Sequence, residues 1–159
     1  MEKDPNLNLS LLKDEYLMVQ EFYQDIDRRC FTIMGWSITV AMAAIGAGIV
    51  YGQAVLLLVA FLAALMFWYL EATWRGLSYF MSVRINQIED GIEEGKGGTM
   101  LPLQLYSEWE KEFAKSGRQT WKFFFKSLTP MPHIFIALVS LALFLAVSFG
   151  WIVLVPFGN

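Results

Sequence analysis

Charge is what this sequence withholds over most of its length. Its 12 basic and 15 acidic side chains fall in three blocks, Glu2 to Arg29, Glu71 to Lys96 and Glu108 to Lys126, and none occurs from Cys30 to Leu70 or from Ser127 to Asn159. An ionised group is costly at the centre of a bilayer, and about 20 uncharged apolar residues suffice to cross one. Cysteine is nearly absent as well: Cys30 alone cannot form an intramolecular disulfide. The one histidine, His133, leaves no Cys/His cluster and no H-E-x-x-H pattern. No acidic pair lies inside an apolar run, so a metal site or an intramembrane protease has no ligands to build from. No cofactor, metal or enzymatic activity is therefore expected, and His133 reads as an interfacial residue at the start of a span. Missing intramembrane carboxylates weigh against proton-coupled transport. A length of 159 residues leaves no room for inverted repeats. Gly91 to Gly97 resembles a phosphate loop only superficially, being one residue short and carrying Gly97 where Ser or Thr should hold magnesium. Residues 1–29 are charged throughout, so no cleavable signal is visible.

What is there is apolar. The hydrophobic fraction of 56% exceeds what a soluble domain with one core needs and indicates an integral membrane protein. The first charge-free run is about two spans long and is interrupted by Tyr51-Gly52-Gln53, where Gly52 can take the positive φ of a tight turn. This predicts a transmembrane hairpin over 30–72, with spans at 30–50 and 54–72. A third span opens near Pro130 and Pro132, runs from about 133 to 154 and stops at Pro156. Arg28 and Arg29 precede the first span, Arg75 and Arg84 follow the second, and Lys122 and Lys126 precede the third, so all basic residues fall on one side. The positive-inside rule puts that side in the cytoplasm, with the N-terminus in and the C-terminus out. The expected fold class is an all-α integral membrane protein with three transmembrane helices and long cytoplasmic helical extensions. Residues 1–29 are expected to form a cytoplasmic amphipathic helix continuous with the first span, burying Leu12, Tyr16, Val19, Phe22, Tyr23 and Ile26 on one face. Residues 73–127 are expected to form a cytoplasmic helical hairpin, with its last helix over about 103–127. Residues 128–159 are the third span and a short periplasmic tail.

The first span carries two stripes of small residues at helical spacing. Ser37, Ala41, Ala44 and Gly48 form one; Thr32, Gly35, Thr39, Ala43, Gly46 and Val50 form the other, across from it. Helices in lipid associate by close approach through small residues. Two such stripes imply two neighbours, or one neighbour and a pore, so the stripes are candidates for pore lining or for ordinary intrachain packing. Glu71 and Arg75 stand four apart at the inner edge of the second span, as an interfacial ion pair that eases helix exit from the bilayer or as a gating or intersubunit contact. Asp25 and Arg29 repeat the spacing before the first span, and if that helix surrounds an axis these residues form charged rings at the cytoplasmic mouth. Lys111, Lys115, Arg118, Lys122 and Lys126 fall within about 80° of arc on a 3.6-residue helix. Such a stripe suits anionic lipid headgroups, pairing with Glu89, Asp90, Glu93 and Glu94, a partner protein, or a nucleotide or oligonucleotide; duplex DNA is not expected.

The stretch Tyr23-Gln-Asp-Ile-Asp-Arg-Arg29, followed by Thr32, Gly35-Trp36-Ser37 and Thr39, then Phe67-Trp68-Tyr69-Leu70-Glu71-Ala-Thr-Trp74-Arg75, resembles a group of short bacterial inner-membrane proteins. It is more distantly similar to the SLATT group of small membrane effectors that accompany phage-defence genes, from which the third span departs. The resemblance covers about residues 10 to 90. It implies a membrane-acting subunit, an oligomeric pore, controlled by a cytoplasmic partner or ligand. The expected function is thus a homo-oligomeric, pore- or channel-forming effector of the bacterial inner membrane, gated from the cytoplasm, in phage defence. The alternative is a non-conducting membrane adaptor that docks a cytoplasmic partner protein.

Overall fold

A computed structural model describes residues 5–116 and 130–154 of the chain. Four α-helices make up the described residues: α1 (Pro5–Val50), α2 (Ala54–Glu93), α3 (Leu105–Ser116) and α4 (Pro130–Ser148). Three of them, α1, α2 and α4, each contain a stretch long and apolar enough to cross a membrane. Neither α1 nor α2 breaks where its sequence changes from apolar to charged, because no proline or glycine stands at either transition. Both helices contribute to two compact units, one made of Met1–Arg29 with Trp74–Thr120 and one of Cys30–Thr73 with Trp121–Asn159.

In the apolar unit, α1 and α2 are joined by the turn at Tyr51–Gln53, where Gly52 takes φ 67°. Gln53 N–H donates to the Gly48 carbonyl and Gly52 N–H to that of Ile49, which satisfies carbonyls that the end of α1 would otherwise leave open. The core consists of Ala41, Ala60, Ala64, Ile136 and Ala137, flanked by Ala44, Ile45, Phe61 and Leu65. Alanine on all three helices lets their backbones approach closely, which is how helices bind one another where water supplies no driving force. α4 begins at Pro130 and ends at Ser148, several residues before the sequence-based stop at Pro156. The cause is Gly150, at φ 72°: its N–H bonds to the Val147 carbonyl and Trp151 N–H to that of Ala146, a closing turn that a residue with a Cβ rarely adopts.

In the charged unit, Leu12, Val19 and Ile26 of α1 are buried, as is Ile88 of α2. Phe22 and Tyr23, expected on the same face, are exposed instead. The buried stripe instead includes Glu15, which is held by Arg84 of α2. The Glu15–Arg84 pair is bidentate, with Nε to Oε1 at 2.9 Å and Nη2 to Oε2 at 3.1 Å. It also fastens the loop after α2: Leu103 N–H donates to Glu15 Oε2 at 2.7 Å, and Arg84 Nη2 donates to the Leu101 carbonyl at 3.3 Å. Lys96 N–H donates to the Gly91 carbonyl and Gly95 takes φ 71°, so the glycine-rich segment closes the C-terminal end of α2. Leu105 and Glu108 of α3 border one crevice with Val83, Arg84 and Gln87 of α2.

Candidate functional site

Among the described residues of the apolar unit, a polar cluster is built from α1, α2 and α4 together. Ser37 of α1, Glu71 of α2 and His133 of α4 are each no more than 1% exposed. Ser37 Oγ lies 2.9 Å from His133 Nδ1, and His133 Nε2 lies 2.8 Å from Glu71 Oε2. Other aliphatic hydroxyls on α1 and α2 turn back onto their own helices, as Thr39 does to the Gly35 carbonyl and Thr73 to that of Tyr69. Ser37 reaches across to another helix instead.

The connectivity satisfies each ring nitrogen in two protonation states. With a neutral ring, Nε2–H donates to Glu71 and Nδ1 accepts from the Ser37 hydroxyl. With a doubly protonated ring, Nδ1–H donates to Ser37 Oγ, whose hydrogen can turn to a carbonyl of α1. Serine, histidine and a carboxylate in series are also the parts of a nucleophilic relay, but two requirements of acyl transfer are missing. Ser37 has no accessible surface, and the backbone N–H groups around it are spent inside α1, so among the described residues its own helix offers no free donor pair beside its Oγ. The cluster links α1, α2 and α4 through directional bonds that apolar packing alone does not supply.

Seventeen residues of α2, about 26 Å of rise, separate Ala54 from Glu71. This puts the cluster toward the end of an apolar stretch about as long as a 30 Å hydrocarbon core is thick. Ser140, two turns beyond His133 on α4, is fully buried and its Oγ makes no hydrogen bond among the described residues. Replacing it by alanine removes an unsatisfied hydroxyl. Ser140→Ala should therefore leave stability unchanged or raise it by about 1 kcal/mol, measured by thermal unfolding in nanodiscs.

Of the two small-residue stripes on α1, one is used within the chain. Ser37, Ala41 and Gly48 are buried and Ala44 is half-buried; a Cβ at Gly48 would meet Leu57 Cδ2 at 3.2 Å and the Gln53 carbonyl at 3.3 Å. The other faces outward: Thr32, Gly35, Thr39, Ala43, Gly46 and Val50 are all exposed, and among the described residues nothing lies within 4 Å of a Cβ built on Gly35 or Gly46.

The four residues expected at a charged mouth divide between different roles. Asp25 accepts from Arg29 Nε at 2.9 Å, and the Arg29 guanidinium lies 5.4 Å from the centre of the Trp74 ring, both in the charged unit. Arg75 lies 3.6 Å from Asp27. Glu71 is buried against His133 rather than presented at a surface. In the basic stripe, Lys111 pairs with Glu108 at 2.6 Å. The Lys115 side chain, and Arg118, Lys122 and Lys126 altogether, lie outside the described residues.

Sequence reasoning placed Ser37 on a packing stripe, Glu71 beside Arg75 and His133 at an interface, without joining them. A usable signal existed. Glu71 and His133 are ionisable groups at the margins of otherwise uncharged runs, and Ser37 and Glu71 stand at comparable distances on either side of the Gly52 turn. Comparison with protein-family models, curated proteins and solved structures finds no match for this chain.

Proposed function

We propose that the chain is a homo-oligomeric protein of the bacterial inner membrane, with its N-terminus in the cytoplasm and its C-terminus outside. Copies meet along α1 and enclose a pore gated from the cytoplasmic side. The observation that carries this reading is the outward stripe Thr32, Gly35, Thr39, Ala43 and Gly46, which stays exposed after α1 has packed against α2 and α4. Lipid chains have no need of small residues, whereas a neighbouring helix does. The charged unit adds support, since α1 there exposes Leu7, Leu17, Met18 and Phe22, apolar surface that a partner would cover. The resemblance to the SLATT group supports an effector role in phage defence. Anionic lipid headgroups are the chemistry that suits the basic stripe near the third span.

Two glycine substitutions test the assembly. A Cβ at Gly46 has no neighbour within 4 Å among the described residues, so Gly46→Leu should leave thermal unfolding intact while reducing the oligomer to smaller species in mass photometry of nanodisc samples. Gly48→Leu collides with Leu57 and the Gln53 backbone and should instead lower thermal stability, by about 1–3 kcal/mol for an overpacked site. In liposomes, loss of ion flux with Gly46→Leu supports the pore. An unchanged subunit number with both Gly35→Leu and Gly46→Leu would sink the α1 interface.

A further inference from the structure

A groove of about 760 Å³ opens in the charged unit between the first turns of α1 and the last turns of α2. Leu9 and Ile92, each about half exposed, offer apolar surface in it, and the fully buried Leu12 and Ile88 belong to the same two helix segments. Lys13, Tyr16, Glu89 and Glu93 supply its polar lining. Tyr16 donates its hydroxyl to Glu89 Oε1 at 2.7 Å, and this bond holds the phenol above its ordinary pKa, keeping the wall intact.

The electrostatics of this end of α2 run against the usual preference. A helix C-terminus carries partial negative charge and favours cations in its last turn. Here the last turn of α2 has no basic residue, and Glu89, Asp90, Glu93 and Glu94 are all exposed. Lys96 pairs with Glu94 and Lys13 stands on the α1 side, which leaves an acid excess along the rim. That arrangement raises the energy of the free protein and is relieved by a positively charged neighbour.

We propose that this groove receives a cationic amphipathic helix of a soluble partner, its apolar face against Leu9 and Ile92 and its basic edge along Glu89, Asp90 and Glu93. The α1 face of a second copy offers the wrong chemistry: its exposed apolar residues Met18 and Phe22 border the same surface as Glu21 and Asp25, so carboxylates would face carboxylates. The chain's own basic stripe from Lys111 to Lys126 is the competing occupant, and a subunit number that changes with Glu93→Lys would assign the groove to it and overturn the proposal. The inference stands apart from the α1 oligomer, since it uses only the charged unit.

The probes are two fluorescein-labelled 18-residue peptides with the same leucine face, one edged with lysine and one with glutamate. Each is titrated by anisotropy against the full chain in phosphatidylcholine nanodiscs, with empty nanodiscs as the blank. The lysine-edged peptide should bind, and more weakly as salt rises. Glu93→Lys and Ile92→Ser, both at exposed positions, should each weaken it at least tenfold without changing the circular dichroism or subunit number. Absence of binding by the lysine-edged peptide, equal binding of both peptides, or binding indifferent to both substitutions overturns the proposal. The α1 oligomer is read independently from mass photometry of the same samples, so the failure of one reading is distinguishable from the failure of the other.

Discussion

His133→Leu will destabilise the apolar unit by about 3–5 kcal/mol, and the double variant Glu71→Leu/His133→Leu will recover most of that loss. The single change strands the Glu71 carboxylate in a position where 1% of its surface reaches solvent. It also releases Ser37, whose hydroxyl can fall back on a carbonyl of its own helix as Thr39 does with Gly35. The cost is therefore mainly electrostatic. Removing the carboxylate together with the imidazole removes the unpaired charge, and two leucines of similar volume can fill the space among α1, α2 and α4. Ser37→Ala should cost far less, about 1–2 kcal/mol, because it leaves one ring nitrogen without a partner but no ion. Thermal unfolding in nanodiscs ranks the four proteins. If the double variant is no more stable than His133→Leu, the cluster is not an electrostatic clasp but a packing feature specific to those two shapes.

The three long apolar helices were legible because the penalty on buried charge acts residue by residue and leaves its mark on one chain without reference to any other. The turn at Gly52 was legible for the same kind of reason, since a positive φ is a local demand. Gly150 made the same demand at the end of α4, and the more conspicuous Pro156 drew the boundary past it. The cluster was harder to see because its members are 62 and 96 residues apart in its two hydrogen bonds. Periodicity places Ser37 on a stripe and depth from the turn places Glu71, but the height of α4 against the hairpin is set by packing that no local pattern encodes. Phe22 shows the opposite error. Its spacing fits the buried face of α1, yet it is 52% exposed, while Glu15, seven residues earlier, is buried because Arg84 is there to pair with it.

That pair gives the second large effect, and it should behave differently from the first. Arg84→Leu leaves the Glu15 carboxylate buried with the Leu103 N–H as its remaining donor, so a loss of about 3–5 kcal/mol is expected in the charged unit. Here the double variant Glu15→Leu/Arg84→Leu should not recover. Glu15 and Arg84 also satisfy the backbone at Leu103 and Leu101, and leucines cannot accept from one or donate to the other. Leu103 is moreover held at φ 61°, a conformation that leucine adopts at a cost, and the bond to Glu15 is what keeps it there. Without that bond the loop between α2 and α3 relaxes. Arg84→Lys should fall between the wild type and Arg84→Leu, because a lysine keeps the charge but cannot make the two parallel bonds to Glu15 or reach the Leu101 carbonyl at the same time. Amide exchange at Leu103 is the discriminating measurement: it should accelerate in both the single and the double variants. Slow exchange at Leu103 in the double variant, with stability restored, would show that the loop is held by its own packing and that the ion pair is replaceable by apolar side chains.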